Sequence, residues 1–130
     1  FEPAKSPMST MAPTMVFNEE GDLMLVTGSP GGSLIPAAIL RVITGVVDFN
    51  LDIGQATMLP RVHKDWPTTG ILYERTLNSD VVRIINKTIG HKMTPEHTMG
   101  STQSIHIIDG INYGFADLRR PNASVSIQPN

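Results

Sequence analysis

The sequence predicts an α+β fold built on an antiparallel sheet with helices packed against it. Thr14–Phe17 and Leu23–Thr27 are short apolar runs flanking Asn18-Glu19-Glu20-Gly21-Asp22, a turn sequence, and together they read as a β-hairpin. Gln103–Ile108 and Asn112–Ala116 flank Asp109-Gly110, a second hairpin signal. Between the hairpins the apolar spacing changes to that of a helix. Ile35, Ala38, Ile39, Val42, Ile43, Val46 and Val47 cover more than one stripe, which predicts a helix from about Leu34 to Asp48 buried on several sides.

The remaining elements follow from local signals. Ser33 is the expected N-cap of the long helix, and Pro36 falls near its first turn, where proline is tolerated. Asp52 caps a short helix from Ile53 to Met58, which Pro60 stops. Arg61–Trp66 reads as extended or irregular, and Ile71–Glu74 as a strand. Ser79-Asp80 opens a helix through Ile89, ended by Gly90. The predicted order is β-β-α-α-β-α-β-β in a single domain, residues 1–130, with residues 1–6 and 120–130 as frayed ends.

Composition narrows the function classes. The chain has 130 residues, 40% of them hydrophobic and 17% charged, which is a globular balance. The net charge of −2 and the lack of any Lys/Arg run give nucleic-acid binding no support. With no cysteine there is no disulfide, thiolate metal site or cysteine nucleophile. The apolar run Leu34–Phe49 is broken by Arg41 and is too short to serve as a membrane segment. His63, His91, His97 and His106 lack metal-ligand spacing. Asn86-Lys87-Thr88 and Asn122-Ala123-Ser124 match glycosylation acceptors.

The chemistry centres on Val26-Thr27-Gly28-Ser29-Pro30-Gly31-Gly32-Ser33, between a strand and the long helix. It is neither a P-loop nor a dinucleotide fingerprint nor a nucleophile elbow. What remains is a Pro-Gly-Gly turn at a helix N-terminus. It serves either as a tight strand-to-helix connection or, through two adjacent N–H groups, as an oxyanion hole or as the anion site of a noncatalytic α+β binding module. Ser9 and Thr10 are either turn residues or a pair of hydroxyl donors to a carboxylate. Asp117-Leu118-Arg119 is a solvated strand end or a structural salt bridge near a site.

Five motifs in order, Pro7-Met8-Ser9-Thr10-Met11-x-Pro13-Thr14, Gly28-Ser29-Pro30-Gly31-Gly32, Pro60-Arg61-x-His63, Gly100-Ser101-Thr102-Gln103-Ser104 and Gly114-x-x-Asp117-x-Arg119, resemble the C-terminal part of γ-glutamyltranspeptidase. The resemblance spans about residues 5–120. It implies an N-terminal nucleophile hydrolase, a four-layer αββα sandwich made as a precursor that cuts itself into large and small subunits. It implies γ-glutamyl transfer or hydrolysis on glutathione and related compounds, with no cofactor or metal. Poly-γ-glutamate and glutaryl amides are the substrates of relatives. Gly31 and Gly32 match the oxyanion-hole pair, and Ser9 and Thr10 match a Ser-Ser pair that holds the substrate α-carboxylate. Thr10 departs from that pattern, keeping the hydroxyl and adding a methyl. The family's threonine nucleophile precedes the Pro-Met-Ser motif by tens of residues, whereas here only Phe1–Ser6 precede it. The chain is therefore expected to be a fragment, inactive alone, whose partners are the large subunit and the rest of the small subunit. The family is usually periplasmic or extracellular.

Overall fold

The computed structural model describes residues 3–5, 10–67 and 70–128. β1 (Thr14–Phe17), β2 (Leu23–Gly28), β6 (Gln103–Ile108) and β7 (Ile111–Ala116) form a four-stranded antiparallel sheet in the order β1-β2-β6-β7. Both predicted hairpins are present. Asp109 and Gly110 take φ of 51° and 75°, as a tight two-residue turn requires. β2 pairs with β6 across 77 residues of sequence at Thr27↔Ser104, where the two buried hydroxyls lie 2.8 Å apart.

α1 (Ile35–Val47) and α2 (Ile53–Met58) cover one face of this sheet. Leu25, Val42, Val46, Ile53 and Ala56 form the core, with Val16, Met24, Ile43, Leu51 and Phe115 packed around them. α1 and α2 meet at Gly45, where a Cβ would lie 2.8 Å from that of Ala56. Strand alternation turns Met15, Val26 and Ile105 to the other face, where Met15 and Ile105 are exposed. Asp52 caps α2 as predicted, accepting from the Gln55 amide at 2.8 Å.

A second sheet, in the order β3-β4-β5, holds β3 (Val62–His63), β4 (Gly70–Glu74) and β5 (Lys92–Glu96). β4 and β5 are parallel, joined through α3 (Ser79–Ile84) and a π-helical turn, Ile85–Ile89.

The structure corrects one local expectation and adds three details. Ser33 is not the cap of α1. Gly31 and Gly32 bend the chain into a 3₁₀ turn, Gly32–Leu34, and α1 begins after Leu34 without a side-chain cap. The helix from Ser79 is capped by the Asn78 side chain, which accepts from Asp80 N at 2.8 Å, and it widens to a π turn before Gly90 at φ 83°. Part of 61–66 pairs as β3. β5 carries Pro95 and polar residues and lacks an alternating pattern. It is tolerated because it lies at a sheet edge, where a missing N–H costs no ladder bond.

Candidate functional site

β2 delivers the chain into the glycine turn, and α1 carries it away. Gly31 lies at φ 143°, ψ 15° and Gly32 at φ 58°, conformations that side chains resist. The turn is closed by Leu34 N donating to Gly31 O at 3.2 Å. Both glycines are exposed, and among the described residues neither of their own amides donates a hydrogen bond. Two adjacent N–H groups on exposed residues are thus left without an acceptor among the described residues at the start of a 3₁₀–α segment, an arrangement suited to a negative oxygen.

Thr10 lies beside this turn, and its hydroxyl donates to Gly32 O. Two parts of the sequence-predicted site are therefore brought together. Ser9 lies outside the described residues.

A buried ionic quartet sits behind the turn. Arg61 Nη2 donates to Asp117 Oδ2 at 2.7 Å, and Arg119 donates to Glu74 through Nε at 2.7 Å and Nη2 at 2.6 Å. Arg119 Nη1 bridges to Asp117 Oδ1 at 3.2 Å. The arginines also hold backbone carbonyls: Arg61 those of Met99 and Thr57, Arg119 those of Thr57 and Leu59. Burial by itself would raise the Glu74 carboxyl. The Arg119 hydrogen bonds and the amides of Met99 and Arg61 outweigh it and hold the group below the usual carboxylate range. Asp117 is likewise lowered: burial opposes the shift, and the Arg119 amide and the Arg61 charge overcome it. Burial and the neighbouring Arg119 charge push Arg61 down, while Glu74 and Asp117 carry Arg119 up against burial. Asp117-Leu118-Arg119 is a structural ion pair, not a solvated end.

The quartet fixes the loop Met99–Thr102. Met99 N donates to Glu74 Oε1 at 3.0 Å, and Thr102 N donates to Asp117 Oδ2 at 2.9 Å. This loop packs on the glycine turn.

The sequence profile of the gamma-glutamyltranspeptidase family matches residues 1–127. The chain belongs to the γ-glutamyltranspeptidase family. The glutathione hydrolase proenzyme of Escherichia coli K12 is 38% identical over 118 residues, 90% of this chain and 20% of that protein. The glutathione hydrolase proenzyme of Bacillus subtilis 168 is 32% identical over 129 residues, 97% of this chain and 22% of that protein. The chain thus spans about a fifth of the length of these curated relatives. A crystal structure of the T380A mutant of Helicobacter pylori gamma-glutamyltranspeptidase superposes with a TM-score of 0.84 at 33% identity, over 92% of this chain and 66% of that one. Gamma-glutamyltranspeptidase from Pseudomonas nitroreducens complexed with L-DON gives a TM-score of 0.86 at 30% identity, over 98% of this chain and 67% of that one. The architecture is accordingly that of an N-terminal nucleophile hydrolase, an antiparallel sheet layer with its helices.

Within the γ-glutamyltranspeptidase fold, the other candidates stand apart from the turn. His63 pairs with Asp65 at 2.8 Å, and His106 sits in β6 opposite Tyr113, where burial pushes its ring below the usual value. Among the described residues no group of three His, Asp or Glu could hold a metal, and no helix is long and apolar enough to cross a membrane. Sequence reasoning gave Glu74 no role. A single acid ending a strand shows no pattern, and its Arg119 partner lies 45 residues on.

Proposed function

We propose that this chain supplies the oxyanion hole and the α-carboxylate contacts of a γ-glutamyl acyl-transfer site, acting on glutathione and related γ-glutamyl compounds. The observation that carries the proposal is the Gly31–Gly32 turn, with two unengaged amides and the Thr10 hydroxyl beside it. The chain is then one part of the enzyme, residues 1–130 forming a single unit that assembles with a large subunit and with the segment carrying the threonine nucleophile.

In this mechanism the threonine hydroxyl attacks the γ-carbonyl carbon, and its proton moves to its own α-amine. The carbonyl electrons shift to oxygen, and Gly31 N–H and Gly32 N–H donate to that oxyanion. A donor of this kind is worth about 3 kcal/mol. The C–N bond then breaks, the departing amine takes the proton, and water or an acceptor amine releases the acyl group. Ser9 and Thr10 hold the substrate α-carboxylate. The Thr10 proton rests on Gly32 O in the unliganded chain, so binding turns it toward the carboxylate.

The test is a chimera in which this chain replaces the aligned 20% of the Escherichia coli glutathione hydrolase proenzyme. Expected is self-cleavage and release of aniline from a γ-glutamyl anilide. Gly32→Pro, which deletes one amide and cannot adopt the φ of 58° that the turn requires, lowers kcat by about a hundredfold or more. Gly32→Ala keeps the amide, meets open space and stays within about tenfold, since its positive φ costs only about 1–2 kcal/mol. Equal rates for the two variants refute the oxyanion role. Preferred turnover of poly-γ-glutamate or a glutaryl amide over glutathione would overturn the substrate assignment.

A further inference from the structure

The turn that presents the two amides is pinned from behind by one hydroxyl. We propose that Ser29 is a positioning residue, whose Oγ locks the Gly31–Gly32 turn to the Gly100-Ser101 loop and so sets the direction of the oxyanion donors. The inference rests on the acyl-transfer reading above and deepens it.

Ser29 Oγ accepts from Ser101 N at 3.0 Å and donates to Pro30 O at 2.8 Å. Its one proton and one of its lone pairs therefore tie two separate backbone segments together. The Pro30 carbonyl belongs to the peptide unit whose N–H is that of Gly31. Holding this oxygen fixes the plane of that peptide, and with it the direction of the N–H. Ser29 is not a nucleophile here. Its proton is committed to a carbonyl, and among the described residues it contacts no histidine, acid or amine.

The two loops meet backbone to backbone. A Cβ on Gly100 would lie 2.7 Å from Ser29 Oγ, 3.1 Å from Ala38 Cβ and 3.3 Å from Pro30 O. A Cβ on Gly31 would lie 3.2 Å from Gly100 Cα. Glycine at 100 is thus required by space as well as by its φ of 72°. The far side of the lock does not give, because the loop is anchored at both ends in the buried quartet. Arg61 Nη1 holds Met99 O at 2.7 Å, Glu74 holds Met99 N, and Asp117 exchanges bonds with Thr102 in both directions. Ser101 and Thr102 are 1% and 0% exposed. Rigidity therefore runs from Glu74 and Asp117, through residues 99–102, to Ser29 and the turn. Catalytic donors must be held within about 0.5 Å of their productive geometry, which such a lock provides.

Ser29→Ala in the chimera removes the pin without adding volume. The expected result is a fall in kcat of about ten- to a hundredfold with KM for the γ-glutamyl anilide within about twofold, because the loss falls on the transition state. A γ-boronic acid analogue of glutamate forms a tetrahedral adduct whose oxygen the same amides hold. Its inhibition constant rises in parallel with the loss in kcat/KM. Gly100→Ala, which pushes on Ser29 from the other side, shows the same signature, and Ser29→Thr, which keeps the hydroxyl, recovers part of the rate. Hydrogen exchange supplies an arm independent of turnover: peptides covering 28–34 and 99–103 exchange at least tenfold faster in Ser29→Ala than in the parent. The outcomes separate cleanly. Gly32→Pro inactive with Ser29→Ala at parental kcat and boronate affinity overturns the positioning role and leaves the acyl-transfer reading standing. A lower melting temperature with unchanged kcat shows a purely structural serine and also overturns it. Unchanged exchange in both peptides refutes the lock even if the acyl-transfer reading itself has failed.

Discussion

Replacing Glu74 by Gln removes one negative charge from a quartet whose formal charges otherwise cancel: Arg61 and Arg119 against Asp117 and Glu74. The side chains of Glu74 and Arg119 are 4% and 9% exposed, so the uncompensated positive charge cannot be hydrated. The amide has no good orientation. Oε1 receives Met99 N and Arg119 Nε, and Oε2 receives Arg61 N and Arg119 Nη2. Whichever way Gln turns, its NH₂ faces two donors. Removing one partner of a buried pair costs about 3–5 kcal/mol. With a urea m-value of about 1.5 kcal/mol/M, a loss of about 3 kcal/mol moves the unfolding midpoint of the chain down by about 2 M. The assay is urea unfolding followed by far-UV circular dichroism. The double variant Glu74→Leu with Arg119→Met removes both charges and recovers only part of the loss, because the Thr57 and Leu59 carbonyls lose their Arg119 donor. A midpoint shift below about 0.5 M for Glu74→Gln would refute the view that this carboxylate is a buried, fully used acceptor.

The same quartet fixes a pH dependence. Glu74 and Asp117 are both lowered in the fold, so the unfolded chain binds more protons in acid; their contribution to stability is flat above about pH 5 and falls once pH drops below the unfolded values near 4 toward the folded ones, while the lowered His106 adds a separate decline that begins below about pH 6.5. Urea midpoints between pH 3 and 6 check this, and a Glu74→Gln chain falls less steeply than the parent. Gly45→Ala, ordinarily worth up to about 1 kcal/mol to a helix, destabilises here by about 1–3 kcal/mol, because its Cβ meets that of Ala56 at 2.8 Å; a rise in melting temperature would show that the α1–α2 contact is looser than described. Leu25→Ala, at a fully buried position of the main core, costs about 3 kcal/mol, read as a lowered urea midpoint with unchanged m-value.

Local signals made much of this fold legible. The two hairpins carry their turn residues in sequence, and α1 and α2 carry apolar spacing or a side-chain cap, so their existence follows from nearest-neighbour chemistry. β5 was not legible, because an edge strand with a proline is stabilised by its β4 partner and has no pattern of its own. Ser33 fails as the cap of α1 for a related reason. The tandem positive-φ glycines bend the chain before Ser33 can cap, and that bend is completed by contact with Gly100.

The sequence by itself determined the family, through five motifs in order. Only the tertiary structure decided what those motifs do for one another. Arg61, Glu74, Asp117 and Arg119 stand far apart in the chain, and a buried charge is tolerable only when folding brings its partners within hydrogen-bond reach. The same holds for Ser29, whose hydroxyl means nothing until the loop 72 residues later closes upon it.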